Sequence, residues 1–268
     1  MQPILRRCAL ALSFAAGVAA PLASATAAGN GLLSHRAVYR LSLADTDRES
    51  ALTRVQGGLV LEWRAACDGW LSQQRLGFVA EAGEGPGFSY DVRFSSWESL
   101  DRTQLRFTMR SFDGSTLQEE FRGSAKLDAP GASGTVSYTL PEPEQEPLPA
   151  GTIFPTEHVV DLIAAARAGQ QVLSRQVFDG SGEDALTRAT AVIGQAKTGS
   201  VPGGDSETVW PISVAYFPLE GDDALPQFEI SFDLSARGVM SNVRLDYGEF
   251  TLDAALERLE PLPVPDCP

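Results

Sequence analysis

Residues 228–235 read FEISFDLS, and this short stretch decides the fold class. Phe228, Ile230, Phe232 and Leu234 alternate strictly with polar residues, which is the period-2 pattern of a β-strand with one buried face. A helix would instead need apolar residues three and four positions apart. The stretch therefore predicts a strand that lies between a core and solvent.

The same alternation recurs along the chain, in residues 59–64, 87–97, 104–112 and 239–247. Turn signals separate these runs at short intervals, and the Asp113-Gly114 pair is a strong hairpin signal. Many short strands joined by tight turns favour an antiparallel meander. The sequence predicts an all-β fold whose sheet is closed, or nearly closed, into a barrel.

One segment has a different period. Residues 154–169, FPTEHVVDLIAAARAG, place apolar side chains at helical spacing. Pro155 suits a first helical turn and Gly169 suits a C-terminal stop. We expect one helix that plugs an end of the barrel or lies against its inner face. The preceding segment Pro141–Pro149, PEPEQEPLP, predicts an exposed acidic loop, because proline cannot pair in a central strand.

The first residues resemble an export signal. Arg6 and Arg7 precede a short apolar run and a stretch of small residues, so we interpret 1–28 as a Sec-type signal peptide and 29–268 as one domain. An uncleaved N-terminal anchor is the alternative. No second apolar run predicts a transmembrane segment after signal cleavage.

The chain is strongly acidic, with a net charge of −14, and losing the two arginines of the signal peptide makes this −16. A protein with this much negative charge is a poor partner for nucleic acid or for an anionic membrane face. We therefore expect a soluble exported domain that does not bind nucleic acid.

Two cysteines remain after cleavage, Cys67 and Cys267, 200 residues apart. In an oxidising compartment an even pair most simply forms a disulfide, and closing so long a loop is worth about 5 kcal/mol in the chain-entropy view. Free buried thiols, intermolecular bridges and a metal site are the alternatives. A metal site has the least support, because the chain has only two histidines and no C-x-x-C pair.

Candidate catalytic groups are few. Glu157, His158 and Asp161 form a polar cluster on the helix, which admits a base–carboxylate pair or part of a metal site. The simpler interpretation of His158 is a histidine bonded to backbone or to a neighbouring strand. Ser181 lies in DGSGED, without the strand-to-helix context of a nucleophile elbow. We therefore predict no enzyme, no metal and no cofactor.

The inward faces of the strands carry many phenylalanine, leucine and tryptophan side chains. A barrel lined in this way is either filled by its own side chains or holds an apolar ligand. The sequence leaves both possibilities open.

Five short motifs, in this order, resemble the EipB family of periplasmic cell-envelope integrity proteins from alphaproteobacteria: LSHRAVYRLSLA at 33–44, CDGW at 67–70, FPTEH at 154–158, VFDGSG at 177–182 and the tail from 245 to 268. The resemblance implies a spiral-like, incompletely closed antiparallel barrel of about fourteen strands with a helix. It also implies a disulfide between Cys67 and Cys267, a location in the periplasm of a Gram-negative bacterium, and no catalytic residues.

The functional expectation is a non-enzymatic periplasmic protein that supports envelope integrity by binding an envelope protein or a lipid, lipoprotein or acyl-chain partner. One alternative is a scaffold that binds through exposed sheet edges, with no ligand in its cavity. Another is a hydrolase that uses His158 with Glu157 or Asp161.

Overall fold

The structure is a computed structural model that describes residues 31–47, 50–83, 85–200, 206–219 and 225–267. The predicted signal peptide, residues 1–28, lies outside the described residues. No helix in the described ranges has the length and apolar character needed to cross a membrane.

The first half of the chain is a run of antiparallel strands, each paired with the next. These strands are β1 His35–Thr46, β2 Leu52–Ala65, β3 Gly69–Ala82, β4 Phe88–Ser99, β5 Gln104–Asp113, β6 Thr116–Leu127, β7 Gly134–Leu140 and β8 Glu144–Leu148. The second half contains the helix and eight further strands: β9 Thr152–Ile153, α1 Pro155–Arg167, β10 Val172–Phe178, β11 Leu186–Ile193, β12 Lys197–Ser200, β13 Ser206–Pro218, β14 Phe228–Ser235, β15 Met240–Asp246 and β16 Phe250–Pro261.

All sixteen described strands belong to one sheet, ordered β8-β7-β6-β5-β4-β3-β2-β1-β16-β15-β14-β13-β11-β10-β9, with β12 paired to β13. The last strand, β16, pairs with the first, β1, so the two ends of the chain meet in the middle of the sheet. The path of strands ends at β8 and at β9, which do not pair with each other, and β12 has one unpaired side because it pairs with β13 alone among the described strands. The predicted incompletely closed barrel is thus confirmed, and the strands beyond the expected fourteen or so are short ones, such as the two residues of β9.

The segment Pro141–Pro149 differs from the predicted loop. Residues Glu144–Leu148 form edge strand β8, and Pro147 lies opposite Thr135 of β7. Proline is tolerated there because an edge strand uses only one side for pairing. Its exposed glutamates also discourage edge-to-edge association with other sheets.

The interior contains two separate apolar clusters, although the barrel is one sheet. The larger cluster joins the helix to strands at both ends of the sequence and includes Tyr39, Leu162, Ile212, Leu234 and Leu252. The smaller cluster lies under β5, β6 and β7 and includes Leu105, Phe107, Val136, Phe154 and Phe178. The helix follows directly from Phe154 of the smaller cluster into the larger one, so it connects the two.

The helix lies across one end of the barrel, as expected for a plug. Its first turn contacts Glu98 near the end of β4, and Arg167 in its last turn donates to the carbonyl of Ala236, just beyond the end of β14. Leu162 and Ile163 are buried on its inner side. The predicted start and end of the helix are confirmed. The helix begins at Pro155, and Gly169, with a φ of 73°, follows its C-terminal end.

Candidate functional site

A disulfide joins Cys67 to Cys267, the pairing that the sequence predicted, with 5.5 Å between the two Cα atoms. Cys67 lies in the turn between β2 and β3, and Cys267 ends the tail that follows β16. The tail also donates a backbone hydrogen bond from Leu262 to Ser34. The bridge therefore ties the C-terminal tail to the helix-covered end of the barrel, where β2 turns into β3.

The predicted polar cluster on the helix does not act as a unit, because its members face different partners. Glu157 accepts a hydrogen bond from Arg102 at 2.9 Å, and Asp161 accepts one from Arg175 of β10 at 2.6 Å. Each carboxylate therefore pairs with an arginine of a neighbouring element, although Oε2 of Glu157 is buried without a hydrogen-bond partner among the described residues. Burial raises the pKa of Glu157, and the Arg102 guanidinium offsets part of that effect.

His158 is buried, and its Nε2 has no hydrogen-bond partner among the described residues. Burial lowers the pKa of His158 to about 4, against the opposing pull of Asp161. The expected polar partner is thus missing at Nε2. A neutral imidazole enclosed in the core has no route to a substrate, so the geometry gives the hydrolase alternative no support.

Sequence reasoning missed Glu98, which caps the helix from another element. Its carboxylate accepts hydrogen bonds from the Thr156 backbone N–H at 2.9 Å and from the Thr156 hydroxyl at 2.8 Å. Phe154, the residue at the N-cap, has no side chain that accepts a hydrogen bond, so Glu98 takes that role. The alternation of β4 places Glu98 on the same inward face as Phe94, and that was the available signal.

The end of the barrel opposite the helix carries a continuous file of aromatic rings. Phe78 of β3 contacts Phe88 at 6.0 Å, Tyr90 at 5.5 Å and Phe250 at 6.3 Å between ring centroids. From Phe250 the file continues through Tyr247, Phe228 and Tyr216, with successive centroids 5.1, 5.1 and 6.0 Å apart. We call these seven side chains the aromatic file. Such spacings are those of favourable aromatic pairs.

The aromatic file is only partly covered, although its members share faces with the core. Phe88 and Tyr90 are 40% and 39% exposed, while Phe78, on the neighbouring strand, is buried. Phe228 and Tyr247 are half-buried. Core side chains of a filled barrel are normally covered completely, so Phe88 and Tyr90 depart from that pattern among the described residues.

Apolar side chains between the two clusters are also half-buried. Leu59, Leu76 and Val92 lie opposite one another on adjacent strands, on the same faces as buried core residues. Leu59 and Leu76 contact the larger cluster and Val92 contacts the smaller one. These three side chains therefore pack against the clusters and keep part of their surface exposed.

Burial shifts the pKa values of ionisable groups on the inner side of the sheet. Burial raises the pKa of Tyr247 to about 12, and it also raises the pKa of Tyr138 to about 12, where the neighbouring carboxylates Glu146 and Asp179 add to the effect. Burial likewise raises the pKa of Asp179. Burial thus disfavours the charged form of each of these side chains.

From the helix end to the aromatic file the interior is long. Tyr90 and Glu98 are eight residues apart on one strand, which corresponds to about 26 Å at about 3.3 Å per residue. One leaflet of a bilayer core is about 15 Å deep, half of the roughly 30 Å hydrocarbon thickness. This strand segment is thus longer than one leaflet is deep.

Comparison with known proteins gives consistent results. The EipB-like family model matches residues 26–263. The cell envelope integrity protein EipB of Brucella abortus (strain 2308) is 32% identical over 250 residues, which are 89% of this chain and 87% of that protein. A crystal structure from Brucella abortus, described as a β-barrel-like protein of domain of unknown function DUF1849, superimposes with a TM-score of 0.79 at 32% identity, covering 87% of this chain and 99% of the other.

The family match spans residues 26–263, which include Cys67, and the fold agrees over nearly the whole of the solved relative. This chain belongs to the EipB-like family.

Proposed function

We propose that this protein supports the integrity of the bacterial cell envelope from the periplasm, without catalysis, by holding an acyl chain or a similar apolar ligand inside its barrel. The proposal includes export by the segment 1–28 and a mature domain of residues 29–268. Its relative in Brucella abortus carries the name of an envelope integrity protein, which supports the biological setting.

The observation that carries the ligand part is the aromatic file at the open end. Its rings point into the barrel, contact one another in series, and remain partly uncovered at Phe88 and Tyr90. Leaving such side chains exposed costs hydrophobic free energy, about 25 cal/mol for each Å² that stays wet. A ligand that covers them recovers that free energy.

An envelope protein remains a possible partner of the loaded barrel, but the sheet edges give little support for docking by strand addition. Edge strand β8 is short, acidic and interrupted by Pro147, and β9 has two residues. Such edges resist pairing with another strand. The interior is therefore the better candidate for recognition.

The test is to fill the interior and measure ligand binding. Leu76→Trp adds bulk on the half-buried strip, and Val79→Trp adds the same bulk on the outer face of the same strand, where Val79 is 57% exposed. Titration with a fluorescent long-chain fatty acid should give at least tenfold weaker binding for Leu76→Trp and unchanged binding for Val79→Trp.

A second interior variant keeps the proposal testable if Leu76→Trp does not fold. Tyr90→Asp places a charge at a partly exposed position of the aromatic file and should also weaken fatty-acid binding at least tenfold. In cells, strains carrying either interior variant should be sensitive to detergent, and the Val79→Trp strain should resemble wild type. Equal fatty-acid binding by all four folded proteins would overturn the interior ligand site.

A further inference from the structure

The outer face of strands β2 to β6 is basic, although the chain as a whole has a net charge of −14. Register and contacts place more cations than carboxylates on this face: Arg54, Arg64, Arg75, Arg93, Arg106, Arg110, Arg122 and Lys126 against Glu62, Glu81, Asp91, Asp113 and Glu120. We call this surface the arginine face. The excess of negative charge therefore lies elsewhere on the molecule.

Three arginines form a row across the centre of the arginine face. Arg75 of β3 lies opposite Arg93 of β4, which lies opposite Arg110 of β5. Like charges directly opposite each other are destabilising, so the fold does not need this row for its own stability. The row indicates a surface kept for an anionic partner.

The carboxylates next to this row are already shared between arginines. Asp91 accepts hydrogen bonds from Arg75 at 2.9 Å and from Arg93 at 2.8 Å, and these two guanidiniums hold the pKa of Asp91 below its usual value. Glu120 pairs with both Arg110 and Arg122. Each carboxylate thus neutralises half of its arginine pair, and guanidinium N–H groups remain available.

The row borders an open groove of about 470 Å³ that is rich in hydrogen-bond donors. Arg36 joins the three row arginines around it, and it has no ion pair among the described residues. Gln73, Ser95 and Thr108 line the same groove and add amide and hydroxyl donors; its one carboxylate, Glu62, is paired to Arg64.

We infer that the arginine face docks the protein on the phosphate groups of an anionic lipid surface. Guanidinium groups bind phosphate oxygens through paired N–H donors. Repetition on adjacent strands, about 4.8 Å apart, presents several such groups on one broad face, which fits many phosphates side by side. The acidic remainder of the molecule orients this face toward negative charge.

Repulsion from the acidic remainder does not prevent docking at physiological salt. Charges in water are screened beyond about 8 Å at 0.15 M ionic strength. Strand β16, which carries Asp253, Glu257 and Glu260, lies three strands from β3 along the sheet, about 14 Å at about 4.8 Å per strand, and that separation exceeds the screening length. The inference rests on outer-face charges alone, so its test does not depend on whether the interior binds a ligand.

The test uses the triple variant Arg75→Gln/Arg93→Gln/Arg110→Gln in the mature oxidised protein. A matched control, Arg40→Gln/Arg244→Gln/Arg258→Gln, removes three exposed ion-paired arginines on β1, β15 and β16 and so changes the net charge equally. Flotation measures binding to vesicles of equal parts phosphatidylglycerol and phosphatidylcholine, with pure phosphatidylcholine vesicles as reference.

Wild type should bind the anionic vesicles, lose binding between 50 and 300 mM NaCl, and ignore pure phosphatidylcholine. Each arginine near an anionic surface contributes about fivefold in affinity, so the triple variant should bind roughly 100-fold more weakly, and the control within about threefold of wild type. Equal binding by triple variant and control would overturn the inference, as would full competition by millimolar inorganic phosphate. A third result would also overturn the inference: wild type binds no vesicles but forms a dimer, and the triple variant does not form it. That result would point to a second copy of the chain as the partner.

Discussion

Replacing Glu98 with glutamine should change how the stability of the protein depends on pH. Glu98 is 5% exposed, and its carboxylate accepts two hydrogen bonds from Thr156 at the helix N-terminus. Burial raises the pKa of Glu98 from 4.5 to about 7, and the hydrogen bonds from Thr156 offset only part of that rise.

The direction of the effect follows from proton binding. Between pH 4.5 and 7 the folded protein keeps its proton on Glu98, whereas the unfolded chain has lost it, so stability falls as the pH rises through this window. A pKa change from 4.5 to about 7 corresponds to about 3 kcal/mol. The glutamine variant has no such proton, so its stability lacks this component.

Urea unfolding of oxidised wild type and Glu98→Gln, at pH values from 4 to 8, gives the free energy of unfolding of each protein. The difference, wild type minus variant, should fall by about 3 kcal/mol between pH 4.5 and 7.5. Glu257→Gln, at an exposed position paired with Arg40, controls for the loss of one carboxylate. A difference for Glu98→Gln that stays flat or rises with pH would refute the reasoning.

Three further substitutions test the packing of the barrel. Removing the disulfide with Cys67→Ser/Cys267→Ser should lower the free energy of unfolding by roughly 5 kcal/mol; an unchanged urea midpoint would show that the bridge does not constrain the unfolded chain. Leu162→Ala should lower the free energy of unfolding by about 3 kcal/mol, because the helix buries this side chain in the larger cluster. A decrease below about 1 kcal/mol in the same assay would mean that the helix packs loosely. Gly180→Ala should lower the free energy of unfolding by about 2–4 kcal/mol, because the residue has a positive φ and an added methyl group would clash with a buried phenylalanine ring. Gly131→Ala, at a similar φ but with open space around it, should lower it by about 1 kcal/mol. Equal shifts in melting temperature for the two variants would contradict this.

The sequence predicts the strands and the helix well because their signals are local. The stretch 228–235 becomes β14 with the predicted bounds, and the helix begins at Pro155 as expected. Edge strand β8 could not be predicted in this way. Its prolines argue against a central strand, but whether a segment lies at an edge depends on the order of strands in the sheet, which local periodicity does not contain.

The candidate site follows from the sequence only in part. Alternation places Phe88, Tyr90 and Phe228 on inward faces, but their contact with rings from distant strands depends on how the sheet curves. The link between Glu98 and Thr156 joins residues 58 positions apart and is equally invisible to a local pattern. For Glu157, His158 and Asp161 the local pattern predicted proximity but not the partners. Helical spacing brings the three residues near one another, but arginines from other elements pair with the two carboxylates.

The central claim is that the barrel interior holds an apolar ligand, and native mass spectrometry of protein purified from the periplasm tests it most directly. Wild type and Val79→Trp should carry a co-purified lipid-sized mass that organic extraction removes, and Leu76→Trp should carry much less of it. Wild-type protein with no bound mass, or the same bound mass on all three proteins, would contradict the account.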